Sequence, residues 1–159
     1  MSSGIGQLTI AQMTQEDAET VADWRYEPPH DFYDARADEE ELERLLDDER
    51  RSGRTFSVRD EGGELIGFFT FARADDDAVV IGLGLRPDLT GRGLGHAFVD
   101  EGLAFARARF DPSRFRLSVA EFNRRAIKVY ERAGFARTRS FVEETNGGVF
   151  QFVELERPA

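Results

Sequence analysis

Residues 78–98, AVVIGLGLRPDLTGRGLGHAF, decide the fold of this 159-residue chain. A run rich in β-branched residues ends at Leu85, and an amphipathic segment begins close to residue 94. Three glycines alternate with other residues in the turn TGRGLG (90–95), and glycine permits dihedrals and close backbone approaches that other residues resist. The stretch therefore predicts a strand, a glycine-rich turn and a helix N-terminus, an arrangement whose backbone N–H groups can bind a phosphate.

Hydrophobic periodicity continues outwards from this stretch in both directions. It predicts one domain over residues 1–159, of a mixed α/β class, with a mostly antiparallel central sheet of about seven strands and four helices. The expected order is β-α-α-β-β-β-α-β-α-β-β. The predicted strands are 7–13, 55–60, 64–73, 78–85, 115–122, 135–144 and 149–156, and the predicted helices are 14–24, 38–51, 95–109 and 123–133.

Composition excludes several classes of function. Asp and Glu outnumber Lys and Arg, 31 to 21, and the net charge of −10 argues against nucleic acid or an anionic membrane as a partner. The same charge is compatible with a cationic substrate such as an amine. Alternatively, it only keeps the protein molecules apart by electrostatic repulsion. The chain has no Cys and two His, so we expect no disulfide, thiol chemistry or metal site. We see no signal peptide or membrane span and expect a cytoplasmic protein.

The glycine turn admits several interpretations. No Lys follows the glycines, so a nucleotide P-loop is excluded. The glycine spacing and the antiparallel strands before the turn fit a dinucleotide-binding Rossmann unit poorly. A pyrophosphate site at a helix N-terminus needs only the strand, the turn and the helix. The turn alone also fits tight packing without any ligand.

Two motifs together resemble the Gcn5-related N-acetyltransferase (GNAT) superfamily. VVIGLGLRPDLTGRGLGHAFVDEGLAFA (79–106) is similar to its acyl-coenzyme A signature, although Thr90 stands where the family has Gln or Arg. NRRAIKVYERAGF (123–135) is similar to its later helix, and one strand separates the two motifs as expected. The segment WRYEPPHDFY (24–33) resembles a bacterial subgroup with a W-x-Y-x-x-P-x-x-F-Y pattern.

The resemblance implies the GNAT fold and acetyl-CoA as the cofactor, with its acyl arm between two central strands that splay apart at 82–85 and 117–120. A primary amine of a small molecule or peptide would accept the acetyl group, and the protein would be a monomer or homodimer. The implied cofactor-binding residues are Leu83, Leu85, Thr90, Gly91, Arg92, Gly93, Leu94, Gly95, His96, Asn123, Ala126 and Tyr130.

The same resemblance makes Tyr130 the expected general acid toward the departing thiolate, since a phenol stays protonated near pH 7. Val79 and Ser118 occupy positions where relatives place Glu, so the base is open between Glu27, Asp31, Glu121 and an amine that is already neutral. Trp24, Phe32 and Tyr33 are expected to wall the acceptor pocket, and Trp24 fits a core position equally well. Two alternatives remain: a non-catalytic acyl-CoA-binding module and a Rossmann-type domain.

Overall fold

A computed structural model describes residues 6–145 and 147–159. Apart from one additional short helix, its strands and helices follow the predicted order, with short 3-10 turns at His30–Tyr33, Ala35–Ala37 and Pro87–Leu89. The strands are β1 Thr9–Gln12, β2 Thr55–Arg59, β3 Leu65–Arg73, β4 Ala78–Leu85, β5 Arg114–Ala120, β6 Ala136–Thr145 and β7 Gly148–Pro158. The helices are α1 Gln15–Ala22, α2 Glu39–Leu46, α3 Asp48–Arg51, α4 Gly95–Phe110 and α5 Arg124–Arg132.

The seven strands form one sheet in the order β1-β2-β3-β4-β5-β7-β6. All neighbours are antiparallel except β4 and β5, which are parallel and joined through α4. This confirms the predicted class and the mostly antiparallel sheet. The parallel pair is registered only between 78–80 and 114–116, so the two strands separate beyond that point.

Each face of the sheet carries its own apolar cluster. On one face α4 and α5 pack on the larger cluster, in which Phe98 stacks on Phe69 with ring centroids 4.6 Å apart. On the other face Val21 of α1 and Leu45 of α2 join a smaller cluster that contacts Phe68. The separation of β4 and β5 therefore opens between two covered faces rather than at the outer edge of the sheet.

Two glycines of β4 are required by neighbours on β3. A Cβ at Gly82 would lie 2.3 Å from Thr70 Oγ1, and one at Gly84 would lie 2.3 Å from the Phe68 ring. Both contacts are far inside normal van der Waals separation. The run of alternating small and large residues in β4 thus lets β3 side chains lie across the strand just where it leaves β5.

One predicted helix is wrong in its extent. The acidic segment 38–51 forms two helices, because the Asp47 backbone is extended and its side chain accepts N–H groups of Glu49 and Arg50 to begin α3. This break turns Arg51 inward, where it is 1 % exposed and donates to the Leu45 carbonyl and to Gln15. Within the described residues the four expected helices are present, with the short α3 as a fifth, and the periodicity missed the break because the charge pattern continues across it.

Candidate active site

The separated ends of β4 and β5 leave backbone groups that point into a gap. The Arg86 N–H donates to the Ile66 carbonyl on β3, so the N–H and C=O of the preceding residue, Leu85, point the other way. The same alternation turns the peptide groups of Leu83 into the gap. On the β5 side Ala120 faces the gap, since its neighbour Glu121 donates its N–H to β7. The gap matches the splayed strands predicted at 82–85 and 117–120.

The glycine turn lies between the end of β4 and the start of α4. Gly91 and Gly93 have φ of +72° and +79°, which confirms the need for glycine dihedrals. Gly95 begins α4, and a Cβ there would meet the Val129 side chain at 3.2 Å, so this glycine permits close packing of α4 on α5. The turn therefore uses glycine for both reasons that the sequence suggested.

The N-terminus of α4 offers an unusually long series of free donors. The first bond of the helix runs from the Phe98 N–H to the Leu94 carbonyl, and Leu94 provides no side-chain cap. Within the described residues, none of the N–H groups of residues 91–97 has a protein acceptor. Such donors together with the helix dipole favour a bound anion.

Side chains around the turn add positive charge. Arg92 is exposed in the turn itself. Arg125 at the start of α5 places its Nη1 3.1 Å from the position that a Cβ on Gly91 would take. Thr90 does not point to the turn centre, because its hydroxyl donates to the Pro87 carbonyl at 2.7 Å. His96 is exposed, with its Nδ1 3.7 Å from Asp100 on the next turn of α4.

Tyr130 lies on α5, buried against the larger cluster and edge-on to Phe135. Its hydroxyl makes no hydrogen bond within the described residues. Among these residues, the only fully buried polar side-chain atom that lacks a hydrogen bond is Arg51 Nε, so the Tyr130 hydroxyl is not fully buried. The hydroxyl therefore reaches accessible space. Burial raises the pKa of Tyr130 well above its usual value, and nearby Tyr33 raises it further, so the phenol keeps its proton.

Tyr33 brings a second phenol to the same place. The Ala120 N–H at the end of β5 donates to the Tyr33 hydroxyl oxygen at 3.2 Å. Burial raises the pKa of Tyr33, and the Asn123 side chain and the Ala120 N–H oppose that rise. Asn123 also caps α5, because its Oδ1 accepts the Ala126 N–H at 3.3 Å. Tyr33, Asn123 and Tyr130 thus meet at the β5 side of the gap.

Tyr26 reaches the β4 side of the gap. Its hydroxyl donates to the Leu85 carbonyl at 2.7 Å, and burial raises its pKa above the usual range. The Asp34 carboxylate holds the segment in place by accepting the Tyr26 N–H at 2.8 Å. The segment from Tyr26 to Tyr33 therefore spans the gap, with one phenol on each separated strand.

The expected acceptor-pocket residues divide into two groups. Phe32 lies in an aromatic cluster, 5.5 Å from the Phe122 ring and 4.6 Å from the Phe150 ring. Phe122 is 37 % exposed and lies two residues after β5. Trp24 instead packs beside Phe68 with the smaller cluster, with ring centroids 6.3 Å apart. The structure therefore brings Phe32 and Tyr33 together but places Trp24 in the packing under α1 and α2.

The three candidate bases lie in the segment that spans the gap or directly after β5, and no described residue forms an ion pair with them. Glu27 and Asp31 are exposed in the segment that spans the gap, and Glu121 is half-buried directly after Ala120. Within the described part of the chain, no side chain bonds to any of the three carboxylates. Val79 is fully buried in β4 and cannot act on a proton.

Two residues of this site were missed from the sequence. Tyr26 was visible as the second aromatic of the W-x-Y pattern, but the pattern alone does not say that its hydroxyl reaches β4. Arg125 sits in a run of two arginines, and only the packing of α5 on the turn distinguishes it from its neighbour. Both depend on contacts between segments far apart in the sequence.

The chain matches the family model described as an acetyltransferase (GNAT) domain over residues 7–136, and it belongs to that family. A mycothiol acetyltransferase of Propionibacterium freudenreichii is 39 % identical over 83 residues, 50 % of this chain and 26 % of that protein. One of Salinispora tropica is 39 % identical over 88 residues, covering 52 % and 29 %. The chain thus spans about a quarter of the length of these relatives.

Solved structures share the whole fold at low identity. A spermidine N-acetyltransferase of Vibrio cholerae, in complex with CoA and spermine, aligns with a TM-score of 0.78 at 21 % identity over 96 % of this chain and 95 % of that one. A GNAT-family acetyltransferase of Bacillus anthracis aligns with a TM-score of 0.75 at 16 % identity, covering 99 % and 98 %. In the described residues no helix is long and apolar enough to cross a membrane.

GNAT acetyltransferases use acetyl-CoA, and the residues present fit that group. A pyrophosphate needs several N–H donors and positive charge, which residues 91–97, Arg92 and Arg125 provide. An amide-containing acyl arm needs backbone partners in an open strand pair, which the peptide groups facing the gap provide.

Proposed function

We propose that this protein is an acetyl-CoA-dependent N-acetyltransferase acting on a primary amine of a small molecule or peptide. The observation that carries the proposal is the combination of free N–H groups at the N-terminus of α4 with separated ends of β4 and β5, where Tyr130 lies near Tyr33 on the β5 side. Residues 1–159 act as one domain in this proposal.

The donor half of the site holds acetyl-CoA along this path. The N–H groups of Gly91 through His96 bind the pyrophosphate, with Arg92 at the rim. The peptide groups of Leu83 and Leu85 bind the acyl arm, and Asn123 and Ala126 shape its far side at the start of α5. Acetyl-CoA supplies an activated acetyl group there and leaves as the free thiol.

Tyr130 donates the proton that the departing sulfur requires. Its phenol is protonated at neutral pH because burial raises its pKa, and its hydroxyl has no competing acceptor among the described residues. The N–H of Leu85 faces the gap and polarises the thioester carbonyl as an oxyanion donor. Most of the rate gain comes from holding the two reactants together.

The acceptor amine binds on the side of Phe32 and Tyr33. Asp31, Glu27 or Glu121 attracts its positive charge and takes the proton, directly or through water, before the nitrogen attacks. The negative charge of the whole chain favours a cationic acceptor and raises its local concentration. The names of the relatives, a mycothiol acetyltransferase and a spermidine N-acetyltransferase, point to different substrates, so a screen is needed to identify the amine.

A non-catalytic acyl-CoA-binding module is the second candidate. It is favoured by the missing strand carboxylates, since Val79 and Ser118 replace them. Such a module would bind acetyl-CoA and leave all amines unchanged.

The test has two stages. Calorimetry with acetyl-CoA and CoA is expected to show binding, and its absence would reject both candidates. A screen of primary amines for thiol release then separates enzyme from module.

Tyr130→Phe tests the acid. It should retain acetyl-CoA binding and lower kcat by about 100-fold, the lower range for general acid catalysis. Retained acetyl-CoA affinity in Tyr130→Phe is the internal control, because it shows that the donor half of the site is intact. Unchanged kcat in Tyr130→Phe would exclude this tyrosine as the acid.

A further inference from the structure

A third group of aromatic residues lies outside both apolar clusters. Four rings surround Phe32 at centroid distances between 4.6 and 6.1 Å, and they belong to Tyr33, Phe122, Phe150 and Phe152. We call these five residues the aromatic wall. In the part of the chain that the structure describes, no member belongs to the larger or the smaller cluster, and none is fully buried. Apolar surface that stays accessible in one patch is typical of a binding site.

The aromatic wall begins at the gap between β4 and β5. Phe152 of β7 is registered opposite Ala120, the last residue of β5, and residues directly opposite each other share one face of a sheet. Tyr33 reaches the same point, because its hydroxyl oxygen accepts the Ala120 N–H at 3.2 Å. The neighbouring Val119 and Val153 belong to the larger cluster, so the wall extends over β7 on the face away from α4 and α5.

Negative charge lies at the same end of the aromatic wall. Asp31 directly precedes Phe32, and Glu121 directly precedes Phe122. Neither carboxylate has an ion-pair partner among the residues described. A protonated amine is attracted by these carboxylates, whereas the rings beyond them offer apolar contact. The site therefore suits a molecule with one charged end and one apolar end.

We propose that the acceptor is a primary amine joined by a short carbon chain to an aromatic ring, an inference that rests on the proposed N-acetyltransferase function. The carboxylates hold the nitrogen at the gap, and the ring of the acceptor packs on the aromatic wall. The C–N bond forms as the C–S bond breaks, and the amine loses the proton that the thiol gains.

The rings already present show the geometry that such an acceptor would join. Aromatic pairs prefer edge-to-face or offset contacts with centroids about 4.5–7 Å apart. Phe32 and Phe122 meet edge-on, with an interplanar angle of 89°. Because Phe122 keeps part of its surface exposed, a ring carried by the acceptor can make a further contact of the same kind.

An acceptor with a second positive charge fits the aromatic wall less well. Its second ammonium group would lose hydration against apolar rings, and burying a charge without a partner is costly. At the β6 end of the wall Phe141 stacks on Phe152, and the Arg139 guanidinium already lies 4.7 Å from the Phe141 ring centroid. We therefore expect spermidine to be a poorer acceptor than phenethylamine.

Three small amines separate the parts of this proposal. Butylamine has the charged end, cyclohexylethylamine adds apolar bulk, and phenethylamine carries the aromatic ring. With acetyl-CoA and the wild-type protein, kcat/KM should be about tenfold or more higher for phenethylamine than for butylamine, because the ring adds both apolar burial and aromatic contact. Cyclohexylethylamine should lie between them. The release of CoA thiol measures all three, and spermidine is assayed beside them.

Phe122→Ala tests the aromatic wall itself. This variant should reduce the preference for phenethylamine over butylamine by about tenfold, since it removes one of the rings that the acceptor contacts. Phe122→Tyr keeps the ring and should keep the preference. Val142→Ala is the matched control, because Val142 is an exposed apolar residue of β6 outside the wall. Circular dichroism checks that each variant is folded, and the comparison of amines on the wild type decides without any variant.

The outcomes distinguish this inference from the function on which it rests. Equal kcat/KM for phenethylamine and butylamine, a preference for spermidine, or an unchanged preference in folded Phe122→Ala would overturn the aromatic acceptor while acetyl transfer to amines still occurs. No thiol release with any primary amine would reject the enzyme function itself, and the aromatic acceptor with it.

Discussion

At the scale of single residues, the glycine turn allows the effect of a strained backbone on stability to be separated from its effect on acetyl-CoA binding. Gly93 lies in the proposed pyrophosphate site, whereas Gly63 lies in the turn between β2 and β3. Both have positive φ, +79° and +83°, and a Cβ at either position would meet nothing within 4 Å. An alanine therefore strains each turn without a steric clash.

Gly93→Ala and Gly63→Ala should each lower the free energy of unfolding by about 1–2 kcal/mol, the cost of a left-handed alanine. Only Gly93→Ala should also weaken acetyl-CoA binding, by about tenfold or about 1.4 kcal/mol, because its strain redirects the N–H groups at the helix start. Chemical denaturation and calorimetry on both variants measure the two effects. Equal acetyl-CoA affinity in both would contradict the pyrophosphate site at this turn.

Arg125 allows a second comparison within one helix. Its guanidinium lies beside Gly91, whereas Arg132 is exposed at the other end of α5. Arg125→Ala should weaken acetyl-CoA binding by about tenfold or more, since a hydrogen bond to a charged group contributes about 1.5–3 kcal/mol. The loss should shrink as salt is added, because salt screens the exposed pair.

Arg132→Ala is the matched control and should leave acetyl-CoA affinity and its salt dependence unchanged. Arg125→Lys keeps the charge and should fall between the two. An Arg125→Ala variant that binds like the wild type would remove this residue from the donor site.

Gly93 and Arg125 show how much of the site could be predicted from the sequence. The turn glycines were predictable, because glycines repeated at a strand-to-helix junction indicate a positive φ or a close backbone approach. Arg125 was not, since two adjacent arginines look alike until the packing of α5 is known. Tyr26 was equally hidden, because its hydrogen bond to Leu85 joins residues 59 positions apart.

At the scale of elements, α4 is placed by a glycine in its middle. A Cβ at Gly102 would lie 2.4 Å from the Phe69 ring, which is itself buried and stacked on Phe98. The helix therefore approaches β3 more closely than an alanine would permit. This close approach fixes the height of the α4 N-terminus over the end of β4.

Gly102→Ala should destabilise the protein although alanine is the better helix former. The gain in helix propensity is about 1 kcal/mol. Overpacking a tight contact costs about 1–3 kcal/mol, and the Phe69 ring is 1 % exposed and held by its stacking on Phe98. We expect a lower melting temperature, measured by differential scanning calorimetry, whereas Glu101→Ala on the exposed side of α4 should change it little.

Most elements were predictable because their apolar periodicity is strong, as in β4 and α4. The division of 38–51 into α2 and α3 was not, since Asp47 acts through its own side chain and leaves the charge pattern intact. The segment 24–33 contains prolines and aromatic residues, which do not predict its path. That path across the gap depends on Tyr26 and Tyr33, which reach two separate strands.

At the scale of the whole molecule, a buried carboxylate connects α1 to the sheet. Asp17 on α1 accepts two hydrogen bonds from Arg59 at 2.8 and 2.9 Å and one from the Ser57 hydroxyl at 2.8 Å. These bonds, those of Arg59 above all, hold the pKa of Asp17 below its usual value of 3.8 although burial opposes them. The layer of α1 and α2 that covers the smaller cluster therefore depends on a charged Asp17.

The sign of the pH dependence follows from that lowered pKa. A carboxyl group that titrates lower in the folded than in the unfolded protein adds stability above the unfolded value of 3.8 and loses it as pH falls through the folded pKa. Asp17→Asn should lower the free energy of unfolding at pH 7 by about 1–3 kcal/mol, the range for an unsatisfied or weakened buried group. The difference in stability from the wild type should persist down to the pKa of the unfolded protein and close below it.

Asp23→Asn is the control, since its pair with Arg36 is exposed and such pairs contribute about 0–1 kcal/mol. Urea unfolding from pH 7 to pH 2 measures both variants, and a constant difference for Asp17→Asn across that range would show that its charge does not stabilise α1.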